Sequence, residues 1–131
     1  MSCELCDSDG GAVIWRDDFC RVVRPVVEGY PGFLRVIVNR HVKEMTDLEE
    51  RARLMQVVFA CEAVLRKLYQ PDKVNLASLG NVVPHVHWHV IARFVDDEHF
   101  PDPIWAAARR TAKPRPAVPD DVLARAIMAA L

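Results

Sequence analysis

Hydrophobic and polar residues alternate strictly in one short stretch of this chain, His85-Val86-His87-Trp88-His89-Val90-Ile91. Successive side chains of a β-strand point to opposite faces, so the pattern predicts a strand with three histidines on one face. The apolar residues of the other face are expected to be buried, which leaves the imidazoles on a more open side. This row of histidines is the first candidate for a functional site.

Four other segments predict the rest of a sheet. Residues 12–15 and 19–24 flank a polar turn and predict an N-terminal hairpin. Residues 33–38 are mostly apolar and predict a central strand. Residues 73–79 predict a strand, and a short turn at residues 80–81 makes it an antiparallel partner of the histidine strand.

A long helix is predicted between the central strand and residue 73. Thr46-Asp47-Leu48-Glu49 has the residues of a capping box, so we expect the helix to begin there. Pro71 is expected to stop it at about Tyr69. Apolar residues recur at spacings of four and three and form one stripe for packing on a sheet: Leu54, Val58, Cys61, Leu65 and Leu68.

The C-terminal part predicts smaller elements. Residues 101–105 are expected to form a turn or short helix, and residues 113–116 a stiff connector rich in proline. Asp120 and Asp121 introduce acidic residues at the start of a helix that ends at Leu131. The chain as a whole therefore predicts an α+β fold: a mostly antiparallel sheet of about five strands, one long helix and short C-terminal helices.

Composition narrows the classes of function. The 131 residues carry a net charge of −1 with acidic and basic residues interspersed, which argues against a nucleic-acid partner. No segment approaches the length of a membrane span, so no membrane partner is expected. The first residues are polar and lack the apolar run of a signal peptide, and we therefore expect a soluble cytoplasmic protein.

The four cysteines fall into two kinds. Cys20 and Cys61 lie inside apolar patterns and are interpreted as buried thiols. Cys3 and Cys6 form a Cys-x-x-Cys pair, which is half of a zinc site and needs two more ligands from elsewhere in the chain.

Strand geometry makes the three histidines unequal. Residues two apart on a strand are separated by roughly 6.5–7 Å and residues four apart by roughly 13 Å. One metal ion bound by all three is therefore geometrically poor. The middle residue, His87, has a histidine on each side that can set its tautomer and meet the charge it gains, so it is the candidate nucleophile.

The stretch His85-Val86-His87-Trp88-His89-Val90-Ile91 resembles the alternating signature of the histidine triad (HIT) family of nucleotide hydrolases and transferases. Gly80-Asn81 lies where family members carry Gly-Gln, and Asn75 matches an asparagine on the preceding strand. Residues 36–41 resemble the family segment Val-Ile-Pro-Lys-x-His.

The resemblance covers roughly residues 3–95, with the Cys-x-x-Cys pair placed as in zinc-containing members. Residues 97–105 resemble a bacterial branch described as diadenosine tetraphosphate hydrolase-like. The resemblance implies a HIT domain over residues 1–110, with the connector and terminal helix of residues 111–131 belonging to the same domain.

The resemblance also implies a mechanism. His87 attacks the α-phosphorus of a dinucleoside polyphosphate or nucleoside phosphoramidate, and water resolves the nucleotidyl-histidine. His89 hydrogen-bonds near the leaving group or the phosphate oxygens, and His85 is a structural partner or metal ligand. Asn81 and the backbone amides beside it hold phosphate oxygens. Asn75 is expected near the nucleotide or leaving group.

The same resemblance implies a structural zinc ion bound by Cys3, Cys6, His41 and His85, a saturated tetrahedral set. It implies no organic cofactor. A homodimer is expected, with the long helix and a sheet edge at the interface.

The chain departs from the family pattern at three places. Phe33 stands where many members have a histidine, and Val82 where a serine is frequent. The acidic residue that commonly binds the ribose has no clear counterpart, and Glu28 is the nearest candidate. These departures leave the nucleophile in place and bear on substrate preference and turnover.

Two alternatives to an enzyme that uses His87 as a nucleophile stay open at this point. One is a nucleotide-binding sensor dimer with weak catalysis, and the other is a zinc-dependent hydrolase, for which no convincing carboxylate ligand lies near the triad. Trp105 is expected at the pocket, at a dimer seam or in the core. His99 is interpreted as a solvated loop residue.

Overall fold

A computed structural model of the chain describes residues 2–131, which form a five-stranded antiparallel sheet with helices. The strands are β1 (Ala12–Arg16), β2 (Cys20–Arg24), β3 (Phe33–Val38), β4 (Lys73–Ala77) and β5 (His87–Arg93). Their order across the sheet is β1-β2-β3-β5-β4, so β3 is central, as its apolar sequence predicted. The N-terminal hairpin is also confirmed, with Ala12 opposite Arg24.

Three helices accompany the sheet: α1 (Glu4–Asp7), α2 (Arg51–Tyr69) and α3 (Asp120–Ala130). The α+β prediction is confirmed. Of the short C-terminal helices expected, the structure has α3, whereas residues 101–105 form turns. None of the described helices has the length and apolar character needed to cross a membrane.

One face of the sheet carries the main core. Every second residue of the inner strands points to this face, where α2 and α3 cover them. Leu34 and Val36 of β3 and Val90 of β5 are fully buried there with Leu54 and Leu65 of α2. Cys20 and Cys61 belong to the same core, and burial raises the pKa of each thiol to about 12, which makes both unreactive.

The opposite face is covered by connecting segments. Leu5 of α1 packs on Val23 and Ile37, while Tyr30 packs on Phe33 and Ile91. The histidines lie under and between these two small clusters. The expectation that they occupy an open side is wrong, because His85, His87 and His89 are only 0%, 8% and 7% exposed.

The long helix begins later than its capping box predicted. Met45–Asp47 form a single 3-10 turn, and α2 begins at Arg51 after Glu50, with no side-chain cap. Leu48 is fully buried with an extended backbone, so its burial in the core interrupts what local sequence would make one helix. The predicted end at Tyr69 is confirmed, and Gln70 closes the helix in the left-handed conformation at φ 49°.

The connection between β4 and β5 is longer than the predicted short turn. β4 ends at Ala77 and β5 begins at His87, so His85 precedes the strand instead of lying inside it. The antiparallel pairing itself is confirmed, with Ala77 opposite His89. The extra length exists because Val86 hydrogen-bonds through its backbone to Val42 and Val38, which holds this segment beside the end of β3.

A buried ion pair fixes the segment that follows β5. Arg93 and Asp97 are 2% and 4% exposed, and the guanidinium donates from Nε to the carboxylate at 2.8 Å. Asp97 also accepts hydrogen bonds from the backbone N–H groups of Phe94, His99 and Phe100. These donors hold the pKa of the Asp97 carboxyl far below its usual range, against the desolvation that acts to raise it. The pair therefore anchors the chain that leads to Trp105.

We predict that Asp97→Asn lowers the free energy of unfolding by about 3 kcal/mol, because it leaves the Arg93 charge buried without a counter-ion. The neighbouring Asp96→Asn is the matched control. It breaks only an exposed ion pair with Arg115 and is expected to cost less than about 1 kcal/mol. Urea unfolding at pH 7 measures both variants, and equal losses would contradict the role assigned to Asp97.

Candidate active site

The pairing of β5 with β3 brings the candidate residues together. Arg35 lies directly opposite His89, and Ile37 lies opposite His87, all on the face away from α2. A cavity of about 440 Å³ opens at this point. It is lined by Glu4, Leu5, Arg35, Leu79, Gly80, Asn81, Val82, Val83, His87, His89 and Trp105.

A backbone hydrogen bond orients His87. Its Nδ1 lies 2.6 Å from the carbonyl oxygen of His85. Because a carbonyl only accepts, the neutral ring carries its proton on Nδ1 and keeps a lone pair on Nε2. The geometry therefore presents His87 Nε2 as a nucleophile or base in the cavity.

His89 has a more apolar environment. Phe33 and Trp105 meet its ring edge-on, with centroids at 5.6 and 5.1 Å, and Nδ1 is buried without a hydrogen-bond partner among the described residues. Burial is the largest cause that lowers the pKa of His89 to about 4, and the nearby His87 and Arg35 lower it further. His89 is therefore neutral near pH 7. Since a buried N–H without a partner is rarer than a buried free lone pair, the environment favours a proton on Nε2, where it can be donated.

The loop of residues 79–83 forms one wall of the cavity. Gly80 has φ +70°, a conformation that strains other residues, and it turns the chain into the cavity wall. The backbone N–H groups of Asn81, Val82 and Val83 have no hydrogen-bond partner among the described residues. Asn81 itself is exposed and lines the cavity. These groups are available to bind an anion.

Two predicted substrate residues lie elsewhere. Asn75 faces a second cavity of about 660 Å³, and its Oδ1 accepts a hydrogen bond from Arg93 Nη1 at 2.7 Å. This cavity shares Leu79 and Trp105 with the first. Glu28 is exposed and lines neither cavity. The structure thus gives Glu28 no contact with the candidate site.

Trp105 and His99 also differ in placement from a plain core or loop residue. Trp105 is 52% exposed and lies against the ring of His89. Of the positions expected for Trp105, at the pocket, at a dimer seam or in the core, the structure shows the one at the pocket. The interpretation of His99 as a solvated loop residue is wrong. Its Nδ1 is 2.6 Å from the Tyr30 hydroxyl, and the two rings are stacked. His99 lies outside the cavity and belongs to the network around Asp97.

Cys3, Cys6, His41 and His85 meet at one point beside the cavity. Their ligand atoms all lie within 4.8 Å of one another. His85 Nδ1 is 3.4 Å from Cys3 Sγ and 3.5 Å from Cys6 Sγ. Edges of about 3.6 Å between sulfur and nitrogen follow from the usual bond lengths of a tetrahedral zinc site. The donor set and its spacing therefore fit a metal ion of this kind.

His85 is already in the form that a metal ligand requires. Its Nε2 donates to the Val38 carbonyl at 2.5 Å, which places the lone pair on Nδ1, toward the two cysteines. The carbonyl of the same residue accepts the hydrogen bond that orients His87. The four-residue cluster and the cavity are thus connected through a single residue.

Arg35 is the lining residue that the sequence interpretation missed. It lies within the apolar strand β3, which drew attention to packing and away from chemistry. A signal was available, since Arg35 is the only charged residue between Phe33 and Val38. Its alternation with Phe33 and Ile37 places it on the same face as the histidines.

Comparison with known proteins identifies the sequence pattern independently. The family model described as the HIT domain matches residues 9–96. A curated relative named AP-4-A phosphorylase, from Mycobacterium tuberculosis, is 29% identical over 105 residues, which are 74% of this chain and 53% of the relative. The chain thus spans about half the length of the curated relatives it matches.

Solved structures give the same result for the fold. A histidine triad protein from Sinorhizobium meliloti has a TM-score of 0.73 at 28% identity, covering 100% of this chain and 96% of the other. One from Bradyrhizobium japonicum has a TM-score of 0.70 at 28% identity, covering 93% and 89% of the two chains.

We predict that His89 titrates at about pH 4 and stays neutral between pH 6 and 8, because its burial disfavours the cation. The stability that this neutral burial contributes is complete above pH 6.5 and is lost as the pH falls toward 4. Trp105→Ala uncovers the ring and is expected to raise the pKa toward 6.5. Histidine NMR across the pH range checks both, and a wild-type midpoint near 6.5 would contradict the account.

Proposed function

We propose that this chain, which belongs to the histidine triad (HIT) family, cleaves nucleotides at the α-phosphate through a covalent intermediate on His87. The observation that carries the proposal is the hydrogen bond from His87 Nδ1 to the His85 carbonyl, which frees Nε2 toward the cavity. An imidazole with a directed lone pair is a competent nucleophile.

The reaction proceeds in two displacements. Nε2 of His87 forms a bond to the α-phosphorus, and the bond from phosphorus to the leaving group breaks with its electron pair on that group. Nδ1 keeps its proton, and the His85 carbonyl stabilises the charge on the substituted ring. Water then attacks the phosphorus and loses a proton to solvent, the P–N bond breaks with its electron pair on Nε2, and the nucleoside monophosphate leaves with His87 restored.

The other cavity residues support this chemistry. His89 lies with its ring centroid 5.0 Å from that of His87, and its Nε2–H is suited to donate to a phosphate oxygen or leaving group. The free N–H groups of residues 81–83 and the Asn81 amide suit phosphate oxygens. The neighbouring cavity beyond Leu79 and Trp105, where Asn75 lies, offers apolar room for the nucleoside.

A second acceptor is possible in place of water. Inorganic phosphate attacking the nucleotidyl-histidine yields a nucleoside diphosphate, and the curated relative's name, AP-4-A phosphorylase, gives a reason to test it. Reaction products formed with and without inorganic phosphate distinguish a hydrolase from a phosphorylase.

The two other classes of function fit the site less well. The cluster of Cys3, Cys6, His41 and His85 supplies four protein ligands, so a zinc ion there has no open position for a catalytic water. When bound, that ion would supply structure: Cys3 and Cys6 would hold α1, and α1 places Glu4 and Leu5 in the cavity wall.

A sensor that binds nucleotide without turnover keeps the same cavity, and the loss of turnover in a His87 variant tests this alternative directly. A homodimer and a cytoplasmic location stay predictions from sequence.

We expect His87→Ala to lower kcat for diadenosine tetraphosphate or adenosine phosphoramidate by at least about 10³-fold, since it removes the nucleophile. His99→Gln is the control, because it removes an imidazole that lies outside the cavity. Steady-state kinetics on both variants, at matched unfolding midpoints, measures the difference. Wild-type turnover by His87→Ala excludes the proposed nucleophile, and a wild type without turnover favours the sensor.

We also predict one zinc ion per chain, bound by the four-residue cluster. Cys3→Ser combined with Cys6→Ser is expected to abolish zinc binding and to lower the unfolding midpoint, because structural zinc stabilises the folded state. Cys20→Ala removes a buried thiol outside the cluster and is expected to retain the metal. Elemental analysis of purified protein measures zinc per chain, and equal zinc in all three proteins contradicts the assignment.

A further inference from the structure

Arg35, which is half-buried, differs from Arg93, Arg24 and Arg21 in what neutralises it. Arg93 pairs with Asp97, and Arg24 donates to Asp120 at 2.8 Å. Arg21 has no carboxylate but donates to three backbone carbonyls and to Asn39. Arg35 has a single hydrogen bond, from Nη1 to the Gly10 carbonyl at 3.2 Å, and no ion pair among the described residues.

Arg35 Cζ lies 5.8 Å from the centroid of the Phe33 ring, and one buried nitrogen of the side chain is unsatisfied, as is the same atom of Arg24. The Nε of Arg35 is buried without a hydrogen-bond partner among residues 2–131, although this strand is central in the sheet. Arginine stays charged, and a charge withdrawn from water without a counter-ion costs stability. Arg35 thus places an incompletely satisfied donor group in the wall of the cavity.

The other charges around the cavity leave room for an anion. His89 is neutral, and the acidic lining residue Glu4 is exposed at the rim, where its charge acts on Arg35 without forming an ion pair. Arg35 and the free N–H groups of residues 81–83 are therefore the positive groups that a ligand meets inside. An oxyanion of more than one charge complements this set.

Strand register shows which part of a substrate Arg35 meets. Arg35 lies opposite His89, whereas the residue opposite the proposed nucleophile His87 is the apolar Ile37. The Cα atom of Arg35 is thus displaced by two residues, roughly 6.5–7 Å along the strand, from the position opposite the proposed nucleophile. Adjacent phosphorus atoms of a polyphosphate are separated by less than this, so the group next to the α-phosphate comes within reach of Arg35.

We infer that Arg35 is a specificity-determining residue that binds the phosphate following the α-phosphate, and that it selects phosphoanhydride substrates over phosphoramidates. The inference rests on the proposed function, because it assumes that His87 attacks the α-phosphorus. When the bond from the α-phosphorus to the bridging oxygen breaks, the electron pair stays on the departing phosphate. Arg35 meets that added charge, and a departing amine offers it nothing to bind.

Kinetics on two substrates tests the selection. Arg35→Met is expected to lower kcat/KM for diadenosine tetraphosphate by about 30-fold or more, the loss typical of one charge-assisted hydrogen-bonded contact. The loss for adenosine 5′-phosphoramidate is expected to be at least tenfold smaller, and Arg35→Lys should recover part of the first loss. Equal losses for the two substrates overturn the inference.

Nucleotide binding to a catalytically dead protein separates this inference from the proposed function. In a His87→Ala background, calorimetry is expected to show tighter binding of ADP than of AMP, and Arg35→Met should remove that preference. A preference that survives Arg35→Met overturns the inference, whatever the kinetics show. If the preference depends on Arg35 but wild-type protein turns over neither substrate, the reaction proposed for His87 fails while the anion site stands.

A matched control tests whether Arg35 has a purely structural role. Arg66 is an exposed arginine of α2, on the other side of the sheet, and Arg66→Met removes the same charge. It is expected to leave the ADP preference unchanged. If Arg35 serves only to hold Gly10, its variant lowers the unfolding midpoint and weakens ADP and AMP alike, and that result also overturns the inference.

Discussion

The pairing of β5 with β3 is the constraint on which the site depends. A one-residue slip in this register would turn His87 and His89 into the main core and expose Trp88 and Val90 on the other face. The register is stable because Leu34, Val36 and Val90 are fully buried under α2, so the apolar half of the alternation holds the polar half in place. Packing on one face therefore determines the chemistry available on the other.

The histidine face is completed by three segments that are far apart along the chain. The N-terminal segment reaches it through the cluster at Cys3, Cys6, His41 and His85. The loop after β4 reaches it through the left-handed turn at Gly80, and the segment bearing Trp105 reaches it through the buried Arg93–Asp97 pair. The first and third of these connections use polar side chains, and Leu5 adds apolar packing on Val23 and Ile37 to the first.

His85 shows how structure and chemistry are coupled in this fold. Its imidazole belongs to the cluster of Cys3, Cys6, His41 and His85, while its carbonyl sets the tautomer of His87. A disturbance of the cluster therefore reaches the proposed nucleophile, His87, through the main chain of His85. Phe33 offers no hydrogen-bonding group to His89, whose Nδ1 has no partner among the described residues and whose ring is kept neutral by burial among apolar groups.

Local patterns in the sequence were enough for the strands, the central place of β3 and the end of α2, because alternation and helix-stopping residues act over a few positions. Burial of the histidines could not be predicted this way, since their cover comes from residues 3–5, 79–83 and 105. The start of α2 was wrong because burial of Leu48 overrides the local capping signal. Arg35 was missed because an apolar strand suggests packing, and only the register with His89 shows that it faces the cavity.

The central claim is that Nε2 of His87 becomes covalently bonded to the α-phosphorus. Rapid acid-free quenching of the protein with excess diadenosine tetraphosphate, followed by intact-mass and peptide analysis, tests it most directly. The account predicts a mass increase of one adenylyl group, located on the peptide that carries His87 and absent from His87→Ala. Turnover without any such adduct, or an adduct on His89 or another residue, would contradict it.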